Sequence, residues 1–136
     1  MCIRDSSCTA SDNTVVFDPA SGTFSTSAAY PQDVAWMSCG GISTRLYCAG
    51  GSGDADFANG YAYDPAANAW SPIADMPLDL WGSAGSAAGG LLVMVGGVTG
   101  GSTAITNRVV TYDPAANAWS DGPNALFTVY LSLIHI

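Results

Sequence analysis

The chain has few side chains that bind phosphate or transfer protons. It contains no lysine and no glutamate, three arginines and one histidine, against eleven aspartates. The formal net charge of −8 at pH 7 repels phosphate backbones, so nucleic-acid binding is not expected. General acid–base catalysis would depend on aspartate alone, because the single histidine is His135 in the terminal segment. No catalytic residue is therefore predicted.

Long hydrophobic runs and nucleotide-binding fingerprints are also missing. The longest apolar run, around residues 91–95, is far too short to span a bilayer. The chain has neither a P-loop nor a dinucleotide fingerprint, so no cofactor is predicted. Asp54, Asp56 and Asn59 are spaced almost like a calcium loop. The third ligand is displaced and the bidentate glutamate is absent, so no metal is predicted. Hydrophobic residues make up 49% of the chain, ample for the core of one domain.

The two ends of the chain can be encoded by the same short DNA read in opposite orientations. Residues 1–6, MCIRDS, back-translate to a DNA whose reverse complement reads in frame as LSLIHI, residues 131–136. That DNA resembles the transposase end sequence used to build sequencing libraries. We therefore expect residues 1–6 and 131–136 to be adapter-derived. The native part is then expected to be an internal piece of a longer chain.

One eight-residue phrase occurs three times in the native part. FDPASGTF covers residues 17–24, and YDPAANAW covers both 63–70 and 112–119. Phe17 and Tyr63 are 46 residues apart, and Tyr63 and Tyr112 are 49 apart. Pro31, Pro77 and Pro123 also recur at intervals of 46 residues. A period of about 40–50 residues is typical of solenoids and propellers.

Each repeat predicts four short strands. In the first complete unit, residues 34–79, we predict strands over 34–41, 45–51, 60–64 and 69–74. In the second, residues 80–123, we predict strands over 81–88, 91–97, 108–113 and from 118 onward, with residues 98–107 as a loop. Residues 7–33 form the second half of an earlier unit, and residues 124–130 begin a later one.

These units resemble the kelch repeat. Its hallmarks are a glycine doublet after the second strand, a tyrosine on the third and a tryptophan on the fourth. The matching residues are Gly50, Gly51, Tyr63 and Trp70, then Gly96, Gly97, Tyr112 and Trp119. In the partial unit, Phe17 and Phe24 stand in for the tyrosine and tryptophan. The resemblance implies an all-β fold: a partial kelch-type β-propeller of about two and a half four-stranded antiparallel blades.

A partial ring implies missing blades of the same propeller as partners, and apolar outer flanks that are exposed. Trp70 and Trp119 are expected in the core between blades. Trp36 and Trp81 open first strands near the expected channel mouth, each shortly after an aspartate, Asp33 or Asp79. They could form an acidic, aromatic rim for carbohydrate or peptide recognition, or they could simply pack.

Cys39 and Cys48 fall on adjacent predicted strands, where a disulfide is geometrically possible. A disulfide would indicate an exported protein, whereas free thiols would favour an intracellular one. Their spacing is not that of a zinc site.

The resemblance implies a non-catalytic module that binds protein or carbohydrate, or acts as a scaffold, in a longer, exported bacterial kelch protein. The expected location is extracellular or on the cell surface. One alternative is an accessory propeller of an extracellular hydrolase such as a subtilisin-like protease; another is an intracellular protein–protein interaction module. The copper enzymes of the kelch-like galactose-oxidase group need tyrosine and histidine ligands. They are disfavoured here because the one histidine lies in the adapter-derived segment.

Overall fold

The computed structural model describes residues 9–131, which form short antiparallel strands. The adapter-derived ends predicted above therefore lie outside the described residues, except for Leu131. The chain begins with a hairpin of β1 (Val15–Asp18) and β2 (Thr23–Thr26). Two four-stranded sheets and one small hairpin follow. The described residues are therefore all-β, as the repeat pattern predicts.

Each four-stranded sheet folds back and forth in sequence order. The first sheet contains β3 (Ser38–Ile42), β4 (Arg45–Ala49), β5 (Gly60–Asp64) and β6 (Ala69–Pro72). The second contains β7 (Ala84–Ala88), β8 (Leu91–Val95), β11 (Val109–Asp113) and β12 (Ala118–Asp121). The small hairpin of β9 (Val98–Thr99) and β10 (Ala104–Ile105) is inserted between β8 and β11. These sheets are the four-stranded units that the sequence predicts.

The repeated phrase forms the same tight hairpin three times. Its two aromatic residues are direct cross-strand partners, as in the Tyr63–Trp70 pair. The aspartate that follows the tyrosine holds the turn, since Asp64 Oδ1 accepts the N–H of Ala66 at 3.0 Å. Asn68 then adopts a left-handed backbone with φ of 48°, which asparagine tolerates better than most residues. The phrase thus contains all the local signals that a hairpin needs.

The hydrophobic core lies between sheets, not within any one of them. One cluster joins the β1–β2 unit to the first sheet and is built on Tyr30, Val34 and Cys48. A larger cluster joins the two four-stranded sheets, and its buried residues are Tyr47, Ala49, Ala62, Met76, Leu80, Leu92, Met94, Val110 and Tyr112. A single four-stranded sheet would leave these faces in water, so each unit depends on its neighbour.

The glycine doublets allow neighbouring units to approach. A Cβ on Gly50 would lie 2.1 Å from the carbonyl oxygen of Leu80, and one on Gly96 would lie 2.3 Å from that of Val129. Both glycines have a positive φ, 70° and 66°. Larger residues would therefore both clash and strain the backbone. The doublets are the points where the chain entering the next unit crosses behind the second strand.

Two sequence-based predictions are wrong in detail. The first strands begin at Ser38 and Ala84, not at residues 34 and 81, because Trp36 and Gly82 have positive φ values of 57° and 63° that interrupt the extended chain. Residues 98–107 are not a plain loop but contain the β9–β10 hairpin.

The 46-residue interval between Pro77 and Pro123 does not make them structural counterparts. Backbone N–H groups of Tyr30, Met76 and Ala125 donate to equivalent carbonyls, those of Asp12, Ala58 and Asn107. Residue 125 is thus the counterpart of residue 76, and Pro123 is the counterpart of Ala74, not of Pro77. The second four-stranded unit has three more residues than the first, and they lie in the segment that contains the β9–β10 hairpin. Every later residue is therefore displaced by three positions from a 46-residue repeat.

Candidate functional site

Trp36 and Trp81 lie against each other at one end of the two sheets. Their ring centroids are 5.2 Å apart and the ring planes are inclined by 38°. Trp36 precedes β3 and Trp81 precedes β7, so the pair bridges neighbouring sheets. The N–H of Gly82 donates to the carbonyl of Trp36 at 3.0 Å and holds the two segments together. At 39% exposure, Trp36 is the only exposed member of the four tryptophans.

Trp36 occupies a position where the fold demands a left-handed backbone. Its structural counterpart in the second sheet is Gly82, not Trp81, because Ala35 and Trp81 make the equivalent bridges, to Ser52 and Val98. Glycine adopts a positive φ without strain, whereas a bulky residue loses about 1–2 kcal/mol. A tryptophan kept in such a conformation is a feature that favours a functional role for its side chain.

A polar chain extends from the tryptophan pair. The indole Nε1–H of Trp81 donates to Ser102 Oγ at 3.0 Å. Ser102 Oγ in turn donates to Asp56 Oδ2 at 2.6 Å, which ties the β9–β10 hairpin to the loop of the preceding sheet. Sequence reasoning missed Ser102 because the pattern of residues 98–107 predicts only a loop. The hydroxyl and the carboxylate give this apolar surface hydrogen-bonding groups at its edge.

The two aspartates predicted for the rim differ in their surroundings. Asp79 accepts hydrogen bonds from Thr99 Oγ1 at 2.9 Å and from the N–H groups of Gly100 at 3.0 Å and Gly101 at 2.8 Å. The Gly101 N–H, helped by the other two donors, holds the pKa of Asp79 below its usual value. Asp79 therefore fixes the β9–β10 hairpin. Asp33 is exposed.

A cavity of about 300 Å³ opens beside Trp36. It lies between the starts of the two first strands, and the residues that line it include Trp36, Ser38, Cys39, Gly82 and Ser83. Leu131, in the segment expected to be adapter-derived, also lines it. Ser38 Oγ donates to the Ser83 carbonyl at 2.9 Å, so the wall between the sheets is itself hydrogen-bonded. The tryptophan pair thus stands beside a cleft that could accept part of a ligand.

Trp70 and Trp119 have a different environment from Trp36 and Trp81. They are partly buried and pack against the two core clusters, Trp119 against the larger one and Trp70 against the smaller one. Their indole Nε1–H groups donate backward to the preceding unit, Trp70 to the Ala28 carbonyl at 3.0 Å and Trp119 to the Ala74 carbonyl at 2.7 Å. This contact explains why each indole stays near the surface.

An asparagine completes each of these joints, and we call the tyrosine, asparagine and tryptophan together the clamp. Asn117 Oδ1 accepts the hydroxyl of Tyr112 at 2.8 Å and the N–H of Ala74 at 2.9 Å. Asn68 Oδ1 accepts the hydroxyl of Tyr63 at 2.8 Å and the N–H of Ala28 in the same way, at 2.9 Å. The sequence indicates only turn residues at these two positions, but both asparagines also hold neighbouring units together.

Cys39 and Cys48 form a disulfide between directly opposite residues of β3 and β4. Cys48 is fully buried beside Tyr30 and Val34, whereas Cys39 reaches the cavity near Trp36. The bridge therefore connects the candidate surface to the core beneath it.

Within residues 9–131 no cluster of three or more histidine, cysteine, aspartate or glutamate side chains is arranged to hold a metal ion. Asn59, considered for calcium, donates instead to Gln32 Oε1 at 2.7 Å. The described part of the chain also has no helix long and apolar enough to cross a membrane.

Comparison with known proteins agrees with this architecture. The family model described as the Kelch motif matches residues 37–77. The chain contains a kelch repeat. The solved structure of YjhT superposes with a TM-score of 0.74 at 15% sequence identity, over 90% of this chain and 54% of the YjhT chain. No curated protein matches the sequence significantly.

The chain therefore spans about half the length of the YjhT chain. The four-stranded sheets described above are blades of a partial propeller, and a complete ring implies further blades. The matching family describes a repeat motif rather than a catalytic domain. The clamp and the glycine doublets are thus blade-to-blade contacts, and the Trp36–Trp81 pair lies where two blades meet.

Proposed function

We propose that this part of a propeller is a non-catalytic recognition module that binds carbohydrate on the Trp36–Trp81 surface. The observation that carries the proposal is Trp36 itself: an exposed tryptophan in contact with a second tryptophan, at a position where glycine would be unstrained. Aromatic ring faces carry partial negative charge and attract the C–H groups on the flat faces of sugars. The part of the Trp36 ring that the contact with Trp81 leaves exposed is available to a ligand, which supports a binding role.

The polar groups around the pair suit the same class of ligand. Ser102 and Asp56 lie at the edge of the Trp81 indole, where a carboxylate can accept sugar hydroxyls. The adjoining cleft of about 300 Å³ has roughly the size at which small-ligand pockets begin. The acidic surface disfavours anionic ligands, so a neutral oligosaccharide fits better than a sulfated or phosphorylated one.

Titration with neutral oligosaccharides tests this proposal. Cello-, chito-, xylo- and malto-oligosaccharides would be added to the 136-residue chain while heat or indole fluorescence is followed. We expect at least one series to bind, and Trp36→Ala to weaken that binding at least about tenfold, a loss of about 1.4 kcal/mol. Ile105→Ala is the matched control, because Ile105 is also an exposed apolar residue, 48% exposed on β10.

Two results would count against carbohydrate binding. One is the absence of any heat or fluorescence change with all four series. The other is binding that Trp36→Ala and Ile105→Ala weaken equally, since that would place the ligand elsewhere. A protein that binds this surface, with the same dependence on Trp36, would replace carbohydrate by protein as the ligand.

We also propose that the module works outside the cytoplasm. The Cys39–Cys48 bridge supports this location, because disulfides persist in oxidising compartments and are rare in the cytosol. Non-reducing peptide mapping of protein secreted into a bacterial periplasm should recover the 39–48 crosslink. Equal stability of the oxidised protein and a fully reduced preparation would argue for an intracellular module.

A further inference from the structure

Ser102 and Asp56 form the polar edge of the Trp36–Trp81 surface, and the backbone is strained where it presents the serine. Ser102 follows Gly100 and Gly101, and all three residues have a positive φ, between 64° and 67°. Serine is strained in this conformation, whereas a third glycine would not be. A serine kept at such a position favours a role for its hydroxyl, which joins the indole N–H of Trp81 to the Asp56 carboxylate.

The backbone also links Asp56 to the other tryptophan. Asp56 pairs with Ser52 in an antiparallel bridge, and Ser52 pairs in turn with Ala35 through hydrogen bonds of 2.8 and 2.9 Å. Ala35 directly precedes Trp36. Asp56 is thus tied to both members of the tryptophan pair, to Trp36 through the backbone and to Trp81 through a single hydroxyl.

Within residues 9–131 no cationic side chain pairs with the Asp56 carboxylate. That range contains two arginines, and each forms an ion pair with a different aspartate: Arg45 with Asp64, and Arg108 with Asp121. The Ser102 hydroxyl that bonds to Asp56 is neutral, so it does not cancel the negative charge. The formal net charge of the chain is −8, so the protein as a whole attracts cations.

An aromatic pair beside a carboxylate suits a ligand that carries an ammonium group. The face of an indole attracts a cation that lies within about 6 Å of the ring centroid, and tryptophan does so best among aromatic residues. The N–H groups of an ammonium also donate to a carboxylate, in a hydrogen bond stronger than one between neutral groups. The exposed Trp36 and the Asp56 carboxylate at the edge of Trp81 offer these two contacts.

We propose that the preferred ligand is an oligosaccharide whose sugars carry a free amine, with an ammonium group at Asp56 and a sugar face on the tryptophans. This inference rests on the carbohydrate binding proposed above and names the class of sugar. A sugar supplies the flat C–H face and its amine supplies the positive charge, whereas a lysine side chain supplies only the charge. Neutral sugars of the same shape should still bind, but more weakly.

Three oligosaccharides of equal length that differ only at C2 of each sugar test this preference. They are the β-1,4-linked tetramers of glucosamine, N-acetylglucosamine and glucose, whose C2 groups are an ammonium, an amide and a hydroxyl. In calorimetric titrations of the 136-residue chain at a pH where the amines are protonated, we expect the glucosamine tetramer to bind about three- to tenfold more tightly than the other two. The preference should shrink in about 1 M salt, because exposed charges are then screened.

Asp56→Asn separates the charge from the link to the β9–β10 hairpin. The asparagine oxygen can accept the Ser102 hydroxyl as the carboxylate does, but the negative charge is removed. The ratio of the glucosamine to the glucose affinity should therefore fall to about one. Asp75→Asn is the matched control, because Asp75 is an exposed residue beside the clamp contact of Ala74 and its loss changes the net charge equally. That variant should keep the preference.

Three results would overturn the preference for amines and leave carbohydrate binding standing. One is equal affinity for the three tetramers. Another is an equal loss of the preference in Asp56→Asn and Asp75→Asn, which would trace it to the overall charge. The third is a lysine tetramer that binds as tightly as the glucosamine tetramer with the same dependence on Asp56, since charge alone would then be recognised. If none of the three sugar tetramers binds, the proposed carbohydrate function itself is overturned, and this inference with it.

Discussion

Replacing Asn117 by glycine should loosen the joint between the two four-stranded blades. The change removes the one oxygen that accepts both the Tyr112 hydroxyl and the Ala74 N–H, and it reproduces the residue that occurs naturally at Gly22. Glycine keeps the left-handed backbone, which has φ of 48° at Asn117. The substitution therefore tests the side chain and not the turn.

The magnitude follows from the burial of the two donors. Tyr112 is only 2% exposed, so its hydroxyl loses its partner in a poorly hydrated place, at a cost of about 1–1.5 kcal/mol. The Ala74 N–H lies at a solvent-exposed joint, where water can replace the amide, and its loss costs about 0.5 kcal/mol. Relief of backbone strain at residue 117 offsets a few tenths of a kcal/mol of this loss. We expect the free energy of unfolding to fall by about 1–2 kcal/mol.

Urea denaturation at a fixed protein concentration measures this change, since any self-association makes stability concentration-dependent. Asn117→Asp is the control, because a carboxylate oxygen accepts the same two donors; it should stay within about 0.5 kcal/mol of the natural chain. The reasoning is refuted if Asn117→Gly is as stable as the natural chain. It is equally refuted if aspartate and glycine destabilise alike.

Four further predictions follow from individual residues. Replacing Cys39 and Cys48 together by alanine should lower the free energy of unfolding by about 2–3 kcal/mol, from closure of a loop with sequence separation 9, and thermal melts without reductant would detect it. Trp36→Gly should be about 1 kcal/mol more stable than Trp36→Ala in the same melts, because only alanine keeps the strain of a positive φ; equal stabilities would contradict this. The depressed pKa of Asp79 means that its stabilising contribution is present above the ordinary value of 3.8 and is lost as the pH falls through the lower folded value. The stability difference between the natural chain and Asp79→Asn should therefore shrink in acid, and a difference that is constant with pH would refute the assignment. Tyr30→Phe should be neutral or stabilise by up to about 1 kcal/mol in urea titrations, because the Tyr30 hydroxyl is buried and makes no hydrogen bond to the described residues; clear destabilisation would reveal a missed partner.

Much of the fold could be predicted because the residues that form each hairpin are neighbours in the sequence. In the phrase YDPAANAW the aspartate accepts turn N–H groups, the asparagine takes the left-handed position, and the aromatic residues pair across the strands. The glycine doublet is equally easy to recognise in the sequence. It is required because the segment that enters the next unit passes too close for any side chain. These signals suffice for four-stranded blades.

The candidate site was harder to predict because it depends on register between blades. Trp36 and Trp81 look equivalent in the sequence, yet they occupy different positions one residue apart, and that offset brings their rings together. The role of Ser102 depends on the inserted β9–β10 hairpin, whose two short strands leave no clear pattern in the sequence. The three residues added in that segment also hide the true counterpart of Pro123.

The contacts of Asp79 and of the clamp asparagines could not be predicted either, because they join residues that are distant in the sequence. A sequence reveals an acidic residue beside an aromatic one, but not that backbone N–H groups of a neighbouring hairpin already occupy its carboxylate. Likewise, Asn68 resembles an ordinary turn residue because its second contact, with the Ala28 N–H, links residues 40 positions apart.

The most direct test of the proposed site is the indole N–H spectrum of the ¹⁵N-labelled chain, recorded with and without the oligosaccharide that binds best. The chain has four tryptophans, so the spectrum has four assignable signals. We predict slow hydrogen exchange and no ligand shift for Trp70 and Trp119, which bond to backbone carbonyls at the blade joints. We predict faster exchange for the exposed Trp36, and ligand-induced shifts for Trp36 and Trp81. Shifts confined to Trp70 and Trp119, or four indoles that exchange alike, would contradict the proposed site.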